Sequence, residues 1–356
     1  MPRPVVFLIP GRLDTRTGGY EYDRRMIRGL RDRGWSVEVR ELDDSFPSPT
    51  PQALDQAEQV LAGIADGTIV LIDGLAGGVM ADEIERHASR LSIVPVVHSL
   101  LAAEIGIDCT TATRFEASER RALAAAAQVV AVGNGLLAPL ARLGVVAHRI
   151  AIVPPGTSRA PLARGSKGGD GLHLVTVATL NPGKGHDVLF RALSTMTDRR
   201  WRLTCAGSAT RHVETAVRLR SMLQALSLAD RVTLAGELDA AAIDALYDSA
   251  DVAVLPTLFE THSLAAAEAL ARGIPVVGSS TGAIPDLVER GDAQAGLLVP
   301  PGDVDALRKA LTKVIDDPCC RARLADGARI LRDRLRTWDD AARDMDSLMV
   351  SCFGSG

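Results

Sequence analysis

Aromatic residues make up only 3% of this 356-residue chain, too few to line a groove on which nucleobases could stack. A surplus of positive charge is missing as well. The 40 Lys and Arg stand against 44 Asp and Glu, and the formal net charge of -4 gives no general attraction to a phosphate backbone. Nucleic acid is therefore not an expected partner. The five cysteines, Cys109, Cys205, Cys319, Cys320 and Cys352, form no CxxC pair and read as reduced thiols of a cytoplasmic protein. Long hydrophobic runs are absent from the N-terminus, where MPRPVVFLIPG offers about six apolar residues, too short for a signal peptide or a membrane span. It reads instead as a first buried strand. No GxGxxG follows that strand, which counts against a dinucleotide-dependent dehydrogenase. No DxD lies in a fitting loop, Asp43 and Asp44 read as a turn, and no metal ligand set is expected. No repeat of short period is visible.

What is present is a chain of 47% hydrophobic and 24% charged residues, the balance of a globular protein, with length for two domains of about 150 to 200 residues. From Pro4, apolar runs such as VVFLI, TIVLI, IVPVV and QVVAV alternate with helical patterns, which predicts an α/β fold with a doubly wound parallel sheet. The stretch from Pro154 to Gly171 is rich in Pro, Gly and Ser and carries no periodicity, so it marks a domain boundary. Beyond it the alternation restarts with LHLVTVA. The expected division is residues 1–165, 166–336 and a terminal segment 337–356.

One stretch, Asp251 to Gly282, carries the densest chemistry: a strand, a breaker-rich loop, the helix former run SLAAAEALAR stopped by Gly273, and a second strand. Glu260 lies in the loop and Glu268 in the helix, with seven residues between them. A helix start is an anion site, because its first amides lack intrahelical partners, so the amides of Thr261, His262, Ser263 and Leu264 suit a diphosphate. Ser263 also suits an N-cap. Glu268, about one turn deeper, is placed to accept hydrogen bonds from vicinal hydroxyls. Both glutamates could equally be solvated acids, although the Ala and Leu run around Glu268 leaves it no polar face.

These residues, with ARGIPVV, GAIPDLV and GLLVPPGDVDAL that follow, resemble the family 4 glycosyltransferases of the GT-B fold. The resemblance implies two Rossmann-like domains facing across a cleft and a last helix returning to the N-terminal domain. It implies retaining transfer of a hexosyl group from a nucleotide-diphosphate sugar to a hydroxyl acceptor, with no cofactor and no metal. Glu268 would hold the ribose, and Glu260 and His98 would orient the sugar. Lys184, just ahead of a helix in NPGKGHDVLF, would neutralise the diphosphate. Gly207 and Gly236 at strand ends would hold the base, and Gly282 would form a turn beside the donor. Gly18 and Gly19 would face the donor from the other domain, where either close approach to phosphate or a flexible loop with positive φ explains a glycine pair.

His98 stands at the C-terminal end of a strand, the crevice side of an open α/β sheet, and reads either as a structural or as a reactive histidine. Glu104 suits acceptor hydroxyls or a helix cap. The chain departs from the family at Thr179, where an arginine is usual, at Gly183, where a related subgroup has the arginine instead, and at Thr261, His262 and Ser263, where glycine, an aromatic and glycine are common. Arg12 and Arg16, in the loop before Gly18, are candidates for the missing cation or solvated loop residues. The helix DRRMIRGLRDRGW is cationic on one side, yet Asp23 and Asp32 interleave, and a solvated helix is the preferred reading over a membrane-docking one. A GT-B epimerase and a non-catalytic sugar-nucleotide binding protein are the alternatives.

Overall fold

The computed structural model describes residues 3–167 and 171–353; residues 168–170 of the expected linker and 354–356 of the expected terminal segment lie outside them. Two compact units form, Met1–Gly156 together with Arg336–Gly356, and Thr157–Leu335. In the first unit the strands are β1 (Arg3–Pro10), β2 (Trp35–Leu42), β3 (Ile69–Asp73), β4 (Ser92–Val97), β5 (Val129–Ala131) and β6 (Ile150–Ile152). They make one parallel sheet of order β2-β1-β3-β4-β5-β6. Its helices are α1 (Gly18–Asp32), α2 (Pro51–Ala62), α3 (Gly74–Gly77), α4 (Ala81–His87), α5 (Cys109–Ala125) and α6 (Leu137–Arg142). Strands covered on both faces must be apolar throughout, and β1, β3 and β4 are buried at nearly every position.

The second unit holds β7 (Leu172–Val177), β8 (Trp201–Ala206), β9 (Val232–Gly236), β10 (Val252–Leu255), β11 (Val276–Ser279) and β14 (Gly296–Val299), in parallel order β14-β11-β10-β7-β8-β9. Two short strands, β12 (Glu289–Arg290) and β13 (Ala293–Gln294), pair antiparallel beside it. Its helices are α7 (His186–Ser194), α8 (Val213–Ala225), α9 (Ala240–Asp248), α10 (Leu264–Ala271), α11 (Ile284–Val288), α12 (Val304–Asp316) and α13 (Pro318–Arg332). The last helix, α14 (Trp338–Phe353), belongs to the first unit.

Residues 157–165, assigned by composition to the first domain, are tied instead to the second. Ala163 N donates to the Arg272 carbonyl at 2.9 Å, Arg164 N to the Asp248 carbonyl at 2.9 Å, and the Arg164 guanidinium pairs with the Asp248 carboxylate. A stretch without periodicity still needs partners for its backbone, and here α9 and the end of α10 supply them. Helix α5 begins at Cys109, because Asp108 accepts from Thr111 N at 2.9 Å and caps a start that propensity alone does not reveal.

Small residues explain how α14 docks. Ala341, Ala342, Met345 and Met349 are buried in the same cluster as Met26 and Leu30 of α1. A Cβ on Gly29 of α1 would lie 2.3 Å from the Ala342 Cβ, so the two helices meet where neither carries bulk. Trp35 Nε1 donates to Asp346 Oδ1 at 2.7 Å and closes the contact at one edge. Alanine at Gly29 would raise helix propensity by about 1 kcal/mol, but overpacking costs about 1–3 kcal/mol, and the helix-on-helix clash leaves no flexible side chain to yield. Gly29→Ala is therefore expected to destabilise the first unit in chemical denaturation; a stabilised variant would mean that α14 docks loosely. Among the described residues no helix is long and apolar enough to cross a membrane.

Candidate active site

In the second unit the chain leaving β7 makes a tight turn before α7. The Asn181 side chain accepts from Lys184 N at 3.1 Å, and Gly185 has a left-handed φ of 64°. A Cβ on Gly185 would sit 2.0 Å from the Pro256 carbonyl oxygen, so only glycine lets this turn rest against the loop after β10. Leu258 N and the Thr257 hydroxyl both donate to the Gly183 carbonyl, at 2.8 and 3.0 Å. The turn and the loop are thereby locked together. Their side chains then meet: Lys184 Nζ donates to Glu260 Oε2 at 2.8 Å, with side-chain exposures of 28% and 15%. Gly282, with φ of 55°, backs the same loop, since a Cβ there would lie 1.9 Å from the Glu260 carbonyl oxygen. Lys184, Glu260 and Gly282, far apart in sequence, form one cluster.

Helix α10 starts at Ser263, which adopts a left-handed φ of 72° and accepts weakly from Ala266 N at 3.4 Å. A non-glycine residue held there stores about 1–3 kcal/mol of strain. Glycine is common here among the proteins the sequence resembles, and this backbone shape is one that glycine adopts at no steric cost. Its consequence is that the amides of residues 261–264 still lie at an α-helix start with the favourable end of its dipole. Glu268 is half-buried rather than walled in by its Ala and Leu neighbours: Tyr247 Oη donates to its Oε2 at 3.2 Å. Burial, and then the Glu268 charge, push the Tyr247 phenol well up, so it stays a donor.

Thr179 is half-buried at the end of β7, against Gly207, whose Cβ would meet Thr179 N at 2.8 Å and the Ala178 carbonyl oxygen at 2.0 Å. That glycine is explained by packing. Gly236 ends β9 with a left-handed φ of 70° and open space where a Cβ would be, which suits the approach of a ligand. His186 opens α7 fully buried, with neither ring nitrogen hydrogen-bonded. Burial and the neighbouring Lys184 hold it neutral, down to about 4.

In the first unit Gly18 and Gly19 are not a loop before α1 but its first two residues, and neither has a positive φ. Gly19 is small because His98 lies over it: a Cβ would come within 3.4 Å of His98 Cδ2. His98 follows β4, as expected, and its Nε2 contacts Asp23 Oδ1 at 3.3 Å and Asp73 Oδ2 at 3.4 Å. Asp23, expected on a solvated helix face, is fully buried, and so is Asp73, which is not among the expected site residues. A signal existed for both. Asp23 falls between Tyr22 and Met26 on the apolar side of α1, and Asp73 ends a strand on the crevice side of the sheet. Among the described residues these three are the one group whose ligand atoms lie within 4.8 Å of one another, but the ring nitrogen is already engaged by both carboxylates.

Burial raises the Asp23 carboxyl, Asp73 adds to the rise, and His98 opposes it. Burial would raise Asp73 as well, but its hydrogen bond and attraction to His98 hold it below the usual range. For His98 burial alone would lower the value, and the two carboxylates overcome it and raise it to about 10.

The remaining candidates lie apart from this cluster. Arg12 is exposed and paired with Asp14, through Nη2 to Oδ2 at 2.8 Å, so its charge is already matched. Arg16 is exposed. Glu104 is exposed and caps the short turn Leu101–Ala103, whose first amide is held by buried Glu119 at 2.7 Å.

Residues 171–317 match the family model described as Glycosyl transferases group 1. That match lies within the second unit. A D-inositol 3-phosphate glycosyltransferase of Pseudarthrobacter chlorophenolicus is 30% identical over 281 residues, 73% of this chain and 64% of the relative. The chain spans about half the length of the curated relatives it matches. Among solved structures, sucrose-phosphate synthase of Thermosynechococcus elongatus superposes with a TM-score of 0.84 at 22% identity, over 99% of this chain and 100% of that one. HepE of Anabaena, solved in complex with UDP-glucose, superposes with a TM-score of 0.78 at 17% identity, over 98% and 99%. At these identities the likenesses establish the two-domain α/β fold of GT-B type and no activity.

Proposed function

We propose that this chain moves a hexosyl group, with retention, from a nucleotide-diphosphate sugar to a hydroxyl acceptor, as a metal-independent cytoplasmic transferase. The observation that carries the reading is the Lys184–Glu260 pair at 2.8 Å, which joins the turn before α7 to the loop that leads into the start of α10. A cation and a row of helix amides suit a diphosphate, and an acid beside them suits sugar hydroxyls. The relatives named as D-inositol 3-phosphate glycosyltransferases support a polyol acceptor, and HepE with UDP-glucose supports the donor class.

In this reading the bond from the sugar C1 to the phosphate oxygen breaks while a bond from C1 to the acceptor oxygen forms on the same face. The acceptor proton passes to the departing phosphate. Lys184 and the amides of residues 261–264 stabilise the negative charge that grows on the leaving group. Glu268 accepts hydrogen bonds from the ribose hydroxyls, and Glu260 orients the sugar. A panel of nucleotide sugars incubated with polyol and polyol-phosphate acceptors, in the presence of a chelator, tests the reading. One donor is expected to release its nucleoside diphosphate in an acceptor-dependent way. Release that needs added magnesium or manganese would contradict metal independence. Epimerised donor, or binding without release from any donor, would contradict transfer.

A further inference from the structure

Two fully buried carboxylates converge on one imidazole nitrogen: the Asp23 and Asp73 side chains are 0% and 1% exposed, and the His98 side chain keeps 18% of its surface. One oxygen of each carboxylate, Asp23 Oδ2 and Asp73 Oδ2, has no hydrogen-bond partner of regular geometry. Like charges this close and this dry cannot both stand uncompensated. With Nε2 within 3.4 Å of both carboxylates, the compensating charge available is the imidazolium itself. The ring is fixed from other sides as well. Tyr22 meets it edge-on with centroids 5.2 Å apart, Gly19 leaves room for it, and the Tyr22 hydroxyl is anchored on the Val153 carbonyl at 2.9 Å.

We propose that Asp23 and Asp73 are positioning residues that hold His98 as a permanent cation, sharing Nε2–H between them and leaving Nδ1–H as the donor to an anionic or lone-pair oxygen of the substrate. Among the described residues Nδ1 makes no hydrogen bond. His98 is then an electrophilic clamp, not a general base, throughout the working pH range. This rests on the transferase reading only for the identity of the substrate; the clamp itself is a property of the free protein.

The ionisable groups that face the ring are Asp23 and Tyr22 from α1 and Asp73 from the end of β3; Arg336 and Asp344 act electrostatically on Tyr22. Because the folded His98 value lies above its unfolded one, the protonated ring's contribution to stability is fully present below about 6.5 and is lost as pH rises through about 10. Asp23 works in the opposite sense. Its raised carboxyl gives up a proton at higher pH than in the unfolded chain, and the ionised form holds His98 the more tightly.

Nitrogen-15 NMR of this chain, with the His98 signals assigned by their loss in His98→Asn, reads the state of both ring nitrogens without substrate. Both are expected at the protonated shift up to pH 8. In Asp73→Asn, whose amide oxygen can still cap Leu75 N, and in Asp23→Asn, the ring is expected to titrate near its ordinary value of about 6.5. A neutral single-tautomer ring at pH 7 in the unaltered protein would overturn the proposal. So would displacement of the Nε2 proton by added zinc or manganese at stoichiometric concentration. Once a transferred donor is in hand, Asp73→Asn should lose about 10 to 100-fold of turnover at pH 8 and regain most of it at pH 6, a pH shift that a merely structural role would not produce. If both nitrogens are protonated and no donor is consumed, the clamp stands and the transferase reading falls.

Discussion

Lys184→Ala is expected to lower turnover by about 100 to 1,000-fold, the range for removing one preorganised donor from a developing negative charge. The same change should weaken donor binding far less, because the charge on the leaving phosphate grows only as the glycosidic bond breaks. In the free protein Lys184 is paired with Glu260 at 2.8 Å, so a bound diphosphate competes with Glu260 for the ammonium group. Glu260→Gln removes that competitor. It should therefore leave donor affinity equal or tighter while turnover falls through loss of sugar orientation. A purely structural staple between the turn and the loop makes a different forecast: Lys184→Ala, Glu260→Gln and the double variant would all lose stability, and turnover would change little in any of them. Steady-state kinetics with calorimetric donor binding on the three variants separates the two cases.

Glu268→Ala is expected to weaken both the nucleotide sugar and the free nucleoside diphosphate by roughly 10 to 150-fold, from about 1.5–3 kcal/mol for a lost charged acceptor. Equal loss for both ligands is the informative part, since a ribose contact does not depend on the sugar being transferred. Glu268 also accepts the Tyr247 hydroxyl at 3.2 Å, and removing the carboxylate leaves that buried phenol with the Ala265 carbonyl at 3.4 Å. Glu268→Gln keeps an acceptor for Tyr247 and should preserve stability while still losing part of the nucleotide affinity. Unchanged affinity for the free nucleotide in Glu268→Ala would remove this residue from the site.

The sheets were legible because strands buried on both faces have no choice but apolar residues, as VVFLI of β1 and IVLI of β3 show. The Ser263 cap was legible because a hydroxyl before an Ala and Leu run has one economical use, although its left-handed backbone was not. The Lys184–Glu260 pair was out of reach for a different reason. The two residues were each identified, but their contact depends on Gly185 and Gly282 allowing three backbone segments to close on each other, which spacing does not encode. Asp23 stands on the apolar side of α1 beside Tyr22, but a carboxylate followed by Arg24 and Arg25 defaults to solvent, and the partners that explain its burial, Asp73 and His98, come from other elements. The terminal helix was placed by resemblance alone, and its physical cause is the pairing of Gly29 with Ala342.

The central claim is tested most directly by one proton NMR time course of the unaltered protein with an α-configured nucleotide sugar and a polyol-phosphate acceptor. The phosphate-coupled anomeric signal of the donor should decay only when acceptor is present, as free nucleoside diphosphate and a new α-glycosidic anomeric doublet rise in equal amounts. A β-glycosidic doublet, an epimerised donor, or a donor signal that persists with bound protein would contradict retaining transfer by this chain.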